Sequence, residues 1–220
     1  LMGNTVVWKP APTQQLAASL TMELLEAAGL PPGVINMVNG DGIAVSDVAL
    51  SDPDLAGIHF TGSTGVFQHL WRTVGNNIDR YRSYPRLVGE TGGKDFVFAH
   101  PSADHKTLIT ALIRGAFEFQ GQKCSAASRA YIPQSIWNAI QDELVSEVNG
   151  IKQGHASDFS NFMTAVIDER AFNRVSGAID RAHAESTITV AAGGTYDRSE
   201  GWFLRGNLHY ATGKADYSST

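Results

Sequence analysis

The chain has 220 residues, of which 43% are hydrophobic and 18% are charged. This composition is typical of a globular protein with one large domain or two modest ones. A net charge of −5 and a pI near 5.8 argue against nucleic acid or an anionic membrane surface as the main partner. No apolar run approaches the roughly 20 residues needed to cross a bilayer. The single cysteine, Cys124, excludes an intramolecular disulfide and fits a reducing compartment.

The first part of the sequence alternates predicted strands and helices. Val6, Val7 and Trp8 predict a buried strand that ends at a proline, and Thr13 is placed to cap the helix that follows. The predicted apolar stripe of this helix consists of Leu16, Leu20, Leu24 and Leu25. Further strands are predicted at 34–38 and 58–60, with a helix over 43–50 between them. This order predicts an α/β fold with a mostly parallel sheet and helices on both faces.

The same alternation continues through the rest of the chain. The predicted elements are a helix at 63–77, strands at 86–88 and 96–98, a helix from 105 to about 119, a strand at 130–132, helices from 135 and over 170–184, and a strand at 188–191. Asp104 is placed to cap the second of these helices, and Ser135 to start the third. The predicted buried stripe of the third helix consists of Ile136, Ile140, Leu144 and Val148.

Two positions near predicted strand ends are suited to binding a nucleotide. The turn Phe60–Gly65 leaves a strand and opens a helix, so that backbone N–H groups at Gly62 and the hydroxyl of Ser63 can approach a phosphate. An ordinary capped turn is the alternative. Lys9 follows the first strand, where ligand-contacting residues of open α/β sheets lie, although strand-end lysines are also commonly just solvated.

Two further residues are candidates for catalysis. Cys124 lies in a polar, glycine-bearing segment beside Lys123, which can stabilise a thiolate, whereas the alternative is an inert buried cysteine. Glu90 lies between Gly89 and the pair at 92–93, where tightly turned backbone and partial desolvation would suit a general base. The alternative for Glu90 is a loop carboxylate that caps a helix.

The sequence contains no motif typical of a metal site or of a catalytic serine. The seven histidines are scattered, and none pairs with Cys124 or with another histidine at the spacing of metal ligands. No G-x-S-x-G motif is present. We therefore expect no metal site and no serine nucleophile.

Three motifs in order carry a family resemblance: Phe60–Ser63, Gly89–Lys94 and Gly121–Cys124. Together with the 34 residues from Glu90 to Cys124, they resemble the NAD(P)-dependent aldehyde dehydrogenase superfamily. Further segments resemble the branch that oxidises L-glutamate γ-semialdehyde in proline catabolism; they are Phe67–Trp71, Asn77–Arg80, Tyr84–Leu87 and Gln122–Ala126. The resemblance extends from the first residue to about Arg205.

The resemblance implies a covalent mechanism. The Cys124 thiolate attacks the aldehyde carbon, hydride passes to the nicotinamide, and Glu90 activates the water that hydrolyses the thioester. NAD is the implied cofactor, and NADP is not excluded.

The resemblance also implies binding roles. Lys9 contacts the adenosine ribose, while Gly62 and Ser63 approach the pyrophosphate. Ser125 binds the substrate carboxylate, and Lys123 assists both the thiolate and the anionic substrate.

In domain terms, the resemblance implies a partial Rossmann-type NAD-binding domain at 1–95 and a partial α/β catalytic domain at 96–205. Residues 206–220 form a tail that departs from the family pattern. An upstream asparagine that holds the oxyanion, a downstream segment that holds the nicotinamide ribose, and an oligomerisation strand are expected to be absent. The chain is therefore expected to be an internal fragment of a family that forms homo-oligomers.

Two other functions stay open at this stage. One is a cysteine hydrolase or amidase that uses Cys124 and Glu90 without a nucleotide. The other is a catalytically silent fragment or pseudo-enzyme. The expected partner is a small-molecule aldehyde, and the expected location is the cytoplasm for a bacterial protein or the mitochondrial matrix for a eukaryotic one.

Overall fold

Strands and helices alternate through most of the chain, which the computed structural model describes at residues 3–205 and 208–210. The chain divides into two units, Leu1–Thr91 and Gly92–Thr220. Each unit has its own buried apolar core. That the two units are a nucleotide-binding and a catalytic domain stays a prediction.

The first unit has the predicted strand–helix order. Its elements are β1 (Val6–Trp8), α1 (Gln15–Ala27), β2 (Ile35–Met37), α2 (Gly42–Ser51), β3 (Gly57–Thr61), α3 (Thr64–Asn76) and β4 (Arg86–Glu90). The predicted parallel pairing is confirmed, since β1 pairs with β2 and β3 pairs with β4, both in parallel. The hydrogen bonds form two separate two-stranded ladders instead of one continuous sheet.

The start and the buried face of α1 differ from the prediction. Thr13 is not a cap, because it lies inside a short 3-10 turn, Pro12–Gln14, which precedes the helix. Ala18 and Met22 are the buried residues of α1. The predicted stripe is wrong: Leu16, Leu20 and Leu24 are exposed and Leu25 is half-buried. The helix buries only Ala18 and Met22. Because neither is a leucine, the spacing of the leucines does not predict the buried face.

The core of the first unit lies around α2, α3 and the β3–β4 pair. Its buried residues are Leu50, Leu70, Val74 and Tyr81. The Tyr81 hydroxyl donates a 2.7 Å hydrogen bond to the Leu50 carbonyl, which satisfies the polar end of this buried ring. Ile58 and Leu87 of the two strands pack on the same cluster. The core therefore supports the strand pair whose carboxyl ends carry the candidate site residues.

The described part of the second unit contains three α-helices and six strands. Its elements are β5 (Asp95–Phe98), α4 (His105–Phe117), β6 (Ala127–Tyr131), α5 (Gln134–Gly150), α6 (Glu169–Ala184), β7 (Thr189–Ala192), β8 (Thr195–Asp197), β9 (Phe203–Arg205) and β10 (Leu208–Tyr210). β5 pairs in parallel with β6, while the β7–β10 and β8–β9 pairs are antiparallel. The predicted stripe of α5 is confirmed, and it packs on α4 in the largest core.

Some predicted ends of the helices in the second unit agree with the structure, and others do not. Asp104 caps α4 as predicted, because its carboxylate accepts a hydrogen bond from the Thr107 N–H. The helix ends at Phe117 instead of about residue 119, because Phe119 and Gln120 have positive φ angles. α5 begins at Gln134, directly after Pro133, instead of at Ser135. Of the predicted tail, residues 206–207 and 211–220 lie outside the described residues, while β10 pairs with β7.

Candidate active site

The carboxyl ends of β3 and β4 bring three candidate residues together. In the parallel register Thr61 is the partner of Glu90, and the Gly62 N–H donates a 3.0 Å hydrogen bond to the Glu90 carbonyl. Ser63 follows Gly62 and caps α3, since its hydroxyl accepts a 3.3 Å hydrogen bond from the Val66 N–H. The candidate phosphate turn and the candidate base therefore lie beside each other in the first unit.

The two glycines of this turn have different surroundings. A Cβ at Gly62 would lie 2.5 Å from the Phe60 ring, so the space beside Gly62 is filled by the protein's own side chain. Gly65, in the first turn of α3, has no atom within 4 Å of the position of a Cβ. An approaching anion therefore meets open backbone at Gly65. Gly65 belongs to the turn predicted from the sequence, but no binding role was predicted for it.

Glu90 is presented differently from the prediction. It is the last residue of β4 and is exposed, so its backbone is extended and not tightly turned. A Cβ at Gly89 would lie 2.3 Å from the Phe67 ring, so the missing side chain at Gly89 makes room for that ring. Glu90 is therefore held by strand pairing, at the edge where β4 ends.

Lys9 lies one residue beyond β1 and is half-buried. Its ammonium donates a 3.0 Å hydrogen bond to the Pro10 carbonyl. The Nζ atom is 3.8 Å from the position of a Cβ at Gly42, the first residue of α2. The lysine thus lies against the start of a helix, where positive charge and N–H groups favour an anion.

Cys124 follows a short segment with unusual backbone geometry. Phe119, Gln120 and Gly121 have φ angles of 54°, 58° and 66°, which is the left-handed region. Such residues are rare outside glycine and cluster at functional sites. The Cys124 thiol is free and the residue is exposed, which agrees with a reactive thiol better than with a buried apolar filler.

A close backbone contact fixes the position of Cys124. A Cβ at Gly93 would lie 2.2 Å from the Cys124 carbonyl oxygen, so only glycine permits this approach. Gly93 precedes β5 and Cys124 precedes β6, and these strands are parallel. The two segments therefore meet at the amino ends of the strand pair.

Two cationic side chains contact one carboxylate in the segment before Cys124. The Lys123 ammonium donates a 2.8 Å hydrogen bond to Glu118 Oε2, and Arg114 Nη2 donates a 2.6 Å hydrogen bond to Glu118 Oε1. The hydrogen bond from Lys123 and the positive charge of Arg114 lower the pKa of the Glu118 carboxyl. Lys123 is therefore engaged by Glu118, while Ser125 is exposed beside Cys124.

Gln122 ties this segment to a distant part of the second unit. Its amide oxygen accepts a 3.1 Å hydrogen bond from the Ile167 N–H, 45 residues away. Its amide nitrogen donates to the Phe119 carbonyl at 3.4 Å. Sequence reasoning missed the roles of Glu118, Gln122 and Gly93, since no local pattern reveals a long-range contact; only the paired glycines at 92–93 hinted at close backbone approach.

Within residues 3–205 and 208–210, no three His, Cys, Asp or Glu side chains form a group that could hold a metal ion. None of the helices described there is long and apolar enough to span a membrane.

Comparison with known proteins identifies the family of this chain. Residues 1–211 match the model of the aldehyde dehydrogenase family. The chain therefore belongs to the aldehyde dehydrogenase family.

Individual members of this family are similar to the chain over more than nine-tenths of its length. The chain is 48% identical over 206 residues to the mitochondrial delta-1-pyrroline-5-carboxylate dehydrogenase of Dictyostelium discoideum, covering 93% of this chain and 37% of that protein. It is 63% identical to the delta-pyrroline-5-carboxylate dehydrogenase of Mycobacterium tuberculosis in a crystal structure bound with NAD, with a TM-score of 0.91. That match covers 96% of this chain and 39% of the other. The chain thus spans well under half the length of these relatives.

Proposed function

We propose that the chain forms the nucleotide- and thiol-bearing part of an enzyme that oxidises L-glutamate γ-semialdehyde, formed from 1-pyrroline-5-carboxylate, to L-glutamate. The observation that carries this proposal is the 63% identity to a delta-pyrroline-5-carboxylate dehydrogenase over 96% of the chain. The exposed thiol of Cys124 beside Gly93 and the carboxylate at the end of β4 supply the two groups that the reaction needs.

Cys124 is the proposed nucleophile. Its thiolate adds to the aldehyde carbon to give a hemithioacetal, which becomes a thioester when hydride leaves that carbon. Glu90 then takes a proton from water as the water attacks the thioester, and glutamate leaves as the thiolate is restored. In this scheme Ser125 binds the carboxylate of the substrate, and Lys123 adds positive charge near it.

The first unit is the proposed NAD site, and its residues fit a dinucleotide. NAD+ held there would supply the hydride acceptor for the reaction. Open space above Gly65 admits a pyrophosphate to the first turn of α3, beside Gly62 and Ser63. Lys9, against the start of α2, provides an ammonium for the ribose hydroxyls.

The partner of this site is a small-molecule aldehyde. The relatives from Dictyostelium discoideum and Homo sapiens are named mitochondrial. We infer the mitochondrial matrix as the location if the chain is eukaryotic, and the cytoplasm if it is bacterial.

Aldehyde-dependent formation of NADH by the full-length protein that contains this segment tests the proposal. Cys124→Ala should reduce turnover by at least about 10⁴-fold while NAD+ binding, measured by calorimetry, is unchanged. Glu90→Gln should leave one rapid burst of NADH and then stall, because acylation precedes the step that needs the base. Glu143→Gln, which removes an exposed carboxylate of α5, is the matched control and should behave like the parent.

Two results would contradict these assignments. Turnover that survives Cys124→Ala would exclude the nucleophile. Thiol-dependent amide hydrolysis without any response to NAD+ would instead favour a cysteine hydrolase.

A further inference from the structure

The side chain of Gln122 joins the segment that leads to Cys124 to a part of the chain 45 residues away. Its amide oxygen accepts a 3.1 Å hydrogen bond from the Ile167 N–H, and its amide nitrogen donates to the Phe119 carbonyl at 3.4 Å. The residue is half-buried. One side chain therefore bridges the left-handed turn at Phe119–Gly121 and a distant backbone N–H.

The distant end of this bridge lies on firmly held backbone. Ile167 follows Val166, which is buried in an apolar cluster and whose N–H donates a 2.9 Å hydrogen bond to the Trp202 carbonyl. Ile167 precedes Asp168, whose carboxylate caps the start of α6. Contacts on both sides of Ile167 therefore fix the N–H that Gln122 binds.

The near end of the bridge lies on strained backbone. Phe119 and Gln120 have φ angles of 54° and 58°, which cost an L-amino acid free energy and persist where surrounding contacts impose them. The backbone N–H of Gln122 donates a 3.0 Å hydrogen bond to the Phe119 carbonyl, so Gln122 closes this turn. The bond to Ile167 therefore restrains the turn, and Cys124 lies only two residues farther along the chain.

A second contact restrains the same segment at Cys124 itself, whose carbonyl packs where a Cβ of Gly93 would stand. Addition to a carbonyl requires the reacting atoms to lie about 3–3.5 Å apart with the correct orientation, and a misplacement of about 1 Å can cost roughly 10²-fold in rate. A single hydrogen bond contributes little to the stability of the whole protein. The main consequence of the Gln122 bridge is therefore local, at the segment that carries the thiol.

We propose that Gln122 is a positioning residue for the nucleophile: its amide oxygen, held by the Ile167 N–H, fixes the segment that carries Cys124 so that the thiol is placed to add to the aldehyde carbon. The proposal rests on the proposed function in taking Cys124 as the nucleophile of aldehyde oxidation. Gln122 acts through Cys124 in this scheme and is not itself a catalytic residue.

The acylation half-reaction of the full-length protein that contains this segment tests the role. A Glu90→Gln background limits each molecule to one burst of NADH, whose rate reports thiol addition and hydride transfer. In that background Gln122→Ala should slow the burst about 10- to 100-fold and leave its amplitude unchanged, because every thiol still reacts but from a less favourable position. The NAD+ affinity, measured by calorimetry, should equal that of the background.

Two further substitutions separate the amide oxygen from the rest of the side chain. Gln122→Glu keeps an oxygen at the same reach, which can accept from the Ile167 N–H, and should recover most of the burst rate. Gln122→Asn keeps the amide but is one methylene shorter, so it should be as slow as Gln122→Ala. Gln134→Ala is the matched control, since Gln134 is an exposed residue of α5 whose amide donates to Asn138; its burst should equal that of the background.

Hydrogen–deuterium exchange measures the bridge without any substrate. In Gln122→Ala the peptide that contains Ile167 should exchange faster than in the parent protein, whereas peptides from α5 should exchange as before. Thermal unfolding of each variant establishes that the fold is retained.

Four outcomes would overturn the proposal: unchanged exchange at Ile167, an unchanged burst rate in Gln122→Ala, equal losses of rate in Gln122→Ala and Gln122→Glu, or a burst of reduced amplitude at the parental rate. Absence of any NADH burst from the Glu90→Gln background would instead contradict the proposed dehydrogenase function. The exchange measurement needs neither aldehyde nor NAD+, so the two failures are distinguishable.

Discussion

The closest backbone approach at the candidate site is made by Gly93. The missing side chain allows the Cys124 carbonyl to lie where a Cβ would stand, and neither backbone can move without disturbing the strands that follow, β5 and β6. Gly92, its neighbour, has open space at the same position. The two adjacent glycines thus differ: Gly93 is required for the close backbone contact, whereas a side chain at Gly92 would meet no other atom.

Gly93→Ala should therefore lower the free energy of unfolding by about 1–3 kcal/mol, the usual cost of forcing an extra methyl group into a packed place. The variant should also change the rate at which Cys124 is alkylated, because the carbonyl that must move belongs to that residue. Urea denaturation and iodoacetamide kinetics measure the two effects. Gly92→Ala is the matched control, and equal losses in both variants would refute the role given to Gly93.

At the scale of residues, the sequence predicts groups that lie in motifs and misses those defined by distant contacts. Cys124 and Glu90 were singled out because each lies in a glycine-bearing motif. Glu118 was missed because its contact with Lys123 depends on the left-handed turn between them, which no local pattern announces. The turned backbone predicted for Glu90 was wrong because glycine neighbours suggested a loop, whereas pairing with β3 extends the strand.

Helices α1 and α5 show when helical spacing predicts a buried face. In α5 the spaced residues Ile136 to Val148 meet α4 and form the core of the second unit. In α1 the spaced Leu16, Leu20 and Leu24 are exposed, because the buried residues of this helix are Ala18 and Met22. Periodicity identifies an apolar stripe, and tertiary contacts decide whether the stripe is covered.

Leu144→Ala should consequently lower the free energy of unfolding by about 2–5 kcal/mol, because it leaves a cavity in a packed core. Leu144 is 1% exposed. The same substitution at Leu24, which is 68% exposed on α1, should change the stability by less than about 0.5 kcal/mol. Chemical denaturation of both variants measures the difference, and similar losses would contradict the assigned burial.

The cap of α4 provides a prediction about pH. The Asp104 carboxylate accepts hydrogen bonds from the N–H and the hydroxyl of Thr107, and these bonds lower its pKa. A lowered pKa in the folded state stabilises the protein at pH values above the unfolded pKa, and this contribution is lost as the pH falls through the folded pKa.

Asp104→Ala should therefore reduce the midpoint temperature of unfolding at pH 7, and the deficit should shrink below about pH 4. Asp104→Asn, which keeps a capping oxygen without a charge, should retain most of the stability and remove this pH dependence. Thermal unfolding followed by circular dichroism at several pH values measures both. A deficit that stays constant with pH would show that ionisation of Asp104 does not contribute.

For the whole molecule, an aromatic cluster on β5 and β6 is exposed to solvent. The rings of Phe96 and Phe98 lie 5.8 and 6.4 Å from the ring of Tyr131, and all three side chains are exposed. Contiguous exposed apolar surface of this kind promotes association or aggregation. The 220-residue chain is therefore expected to associate as its concentration rises.

Phe98→Ser should weaken this association, seen in sedimentation velocity as a sedimentation coefficient that depends less on concentration. Phe98 is 75% exposed. Phe159 is 96% exposed but lies in a turn, outside the aromatic cluster, so Phe159→Ser is the matched control and should have a smaller effect. An equal response to both substitutions would show that the clustering of the rings is unimportant.

The left-handed turn at Phe119–Gly121 also has a consequence for chirality. A positive φ is strained for an L-amino acid and relaxed for its mirror image, so positions 119 and 120 are sites where a D-residue matches the backbone better than the natural one. Gly121, where an L-type Cβ would lie 2.9 Å from the Ala116 carbonyl, belongs to the same group. The peptide leading to Cys124 thus contains three successive residues whose backbone handedness opposes that of the chain around it.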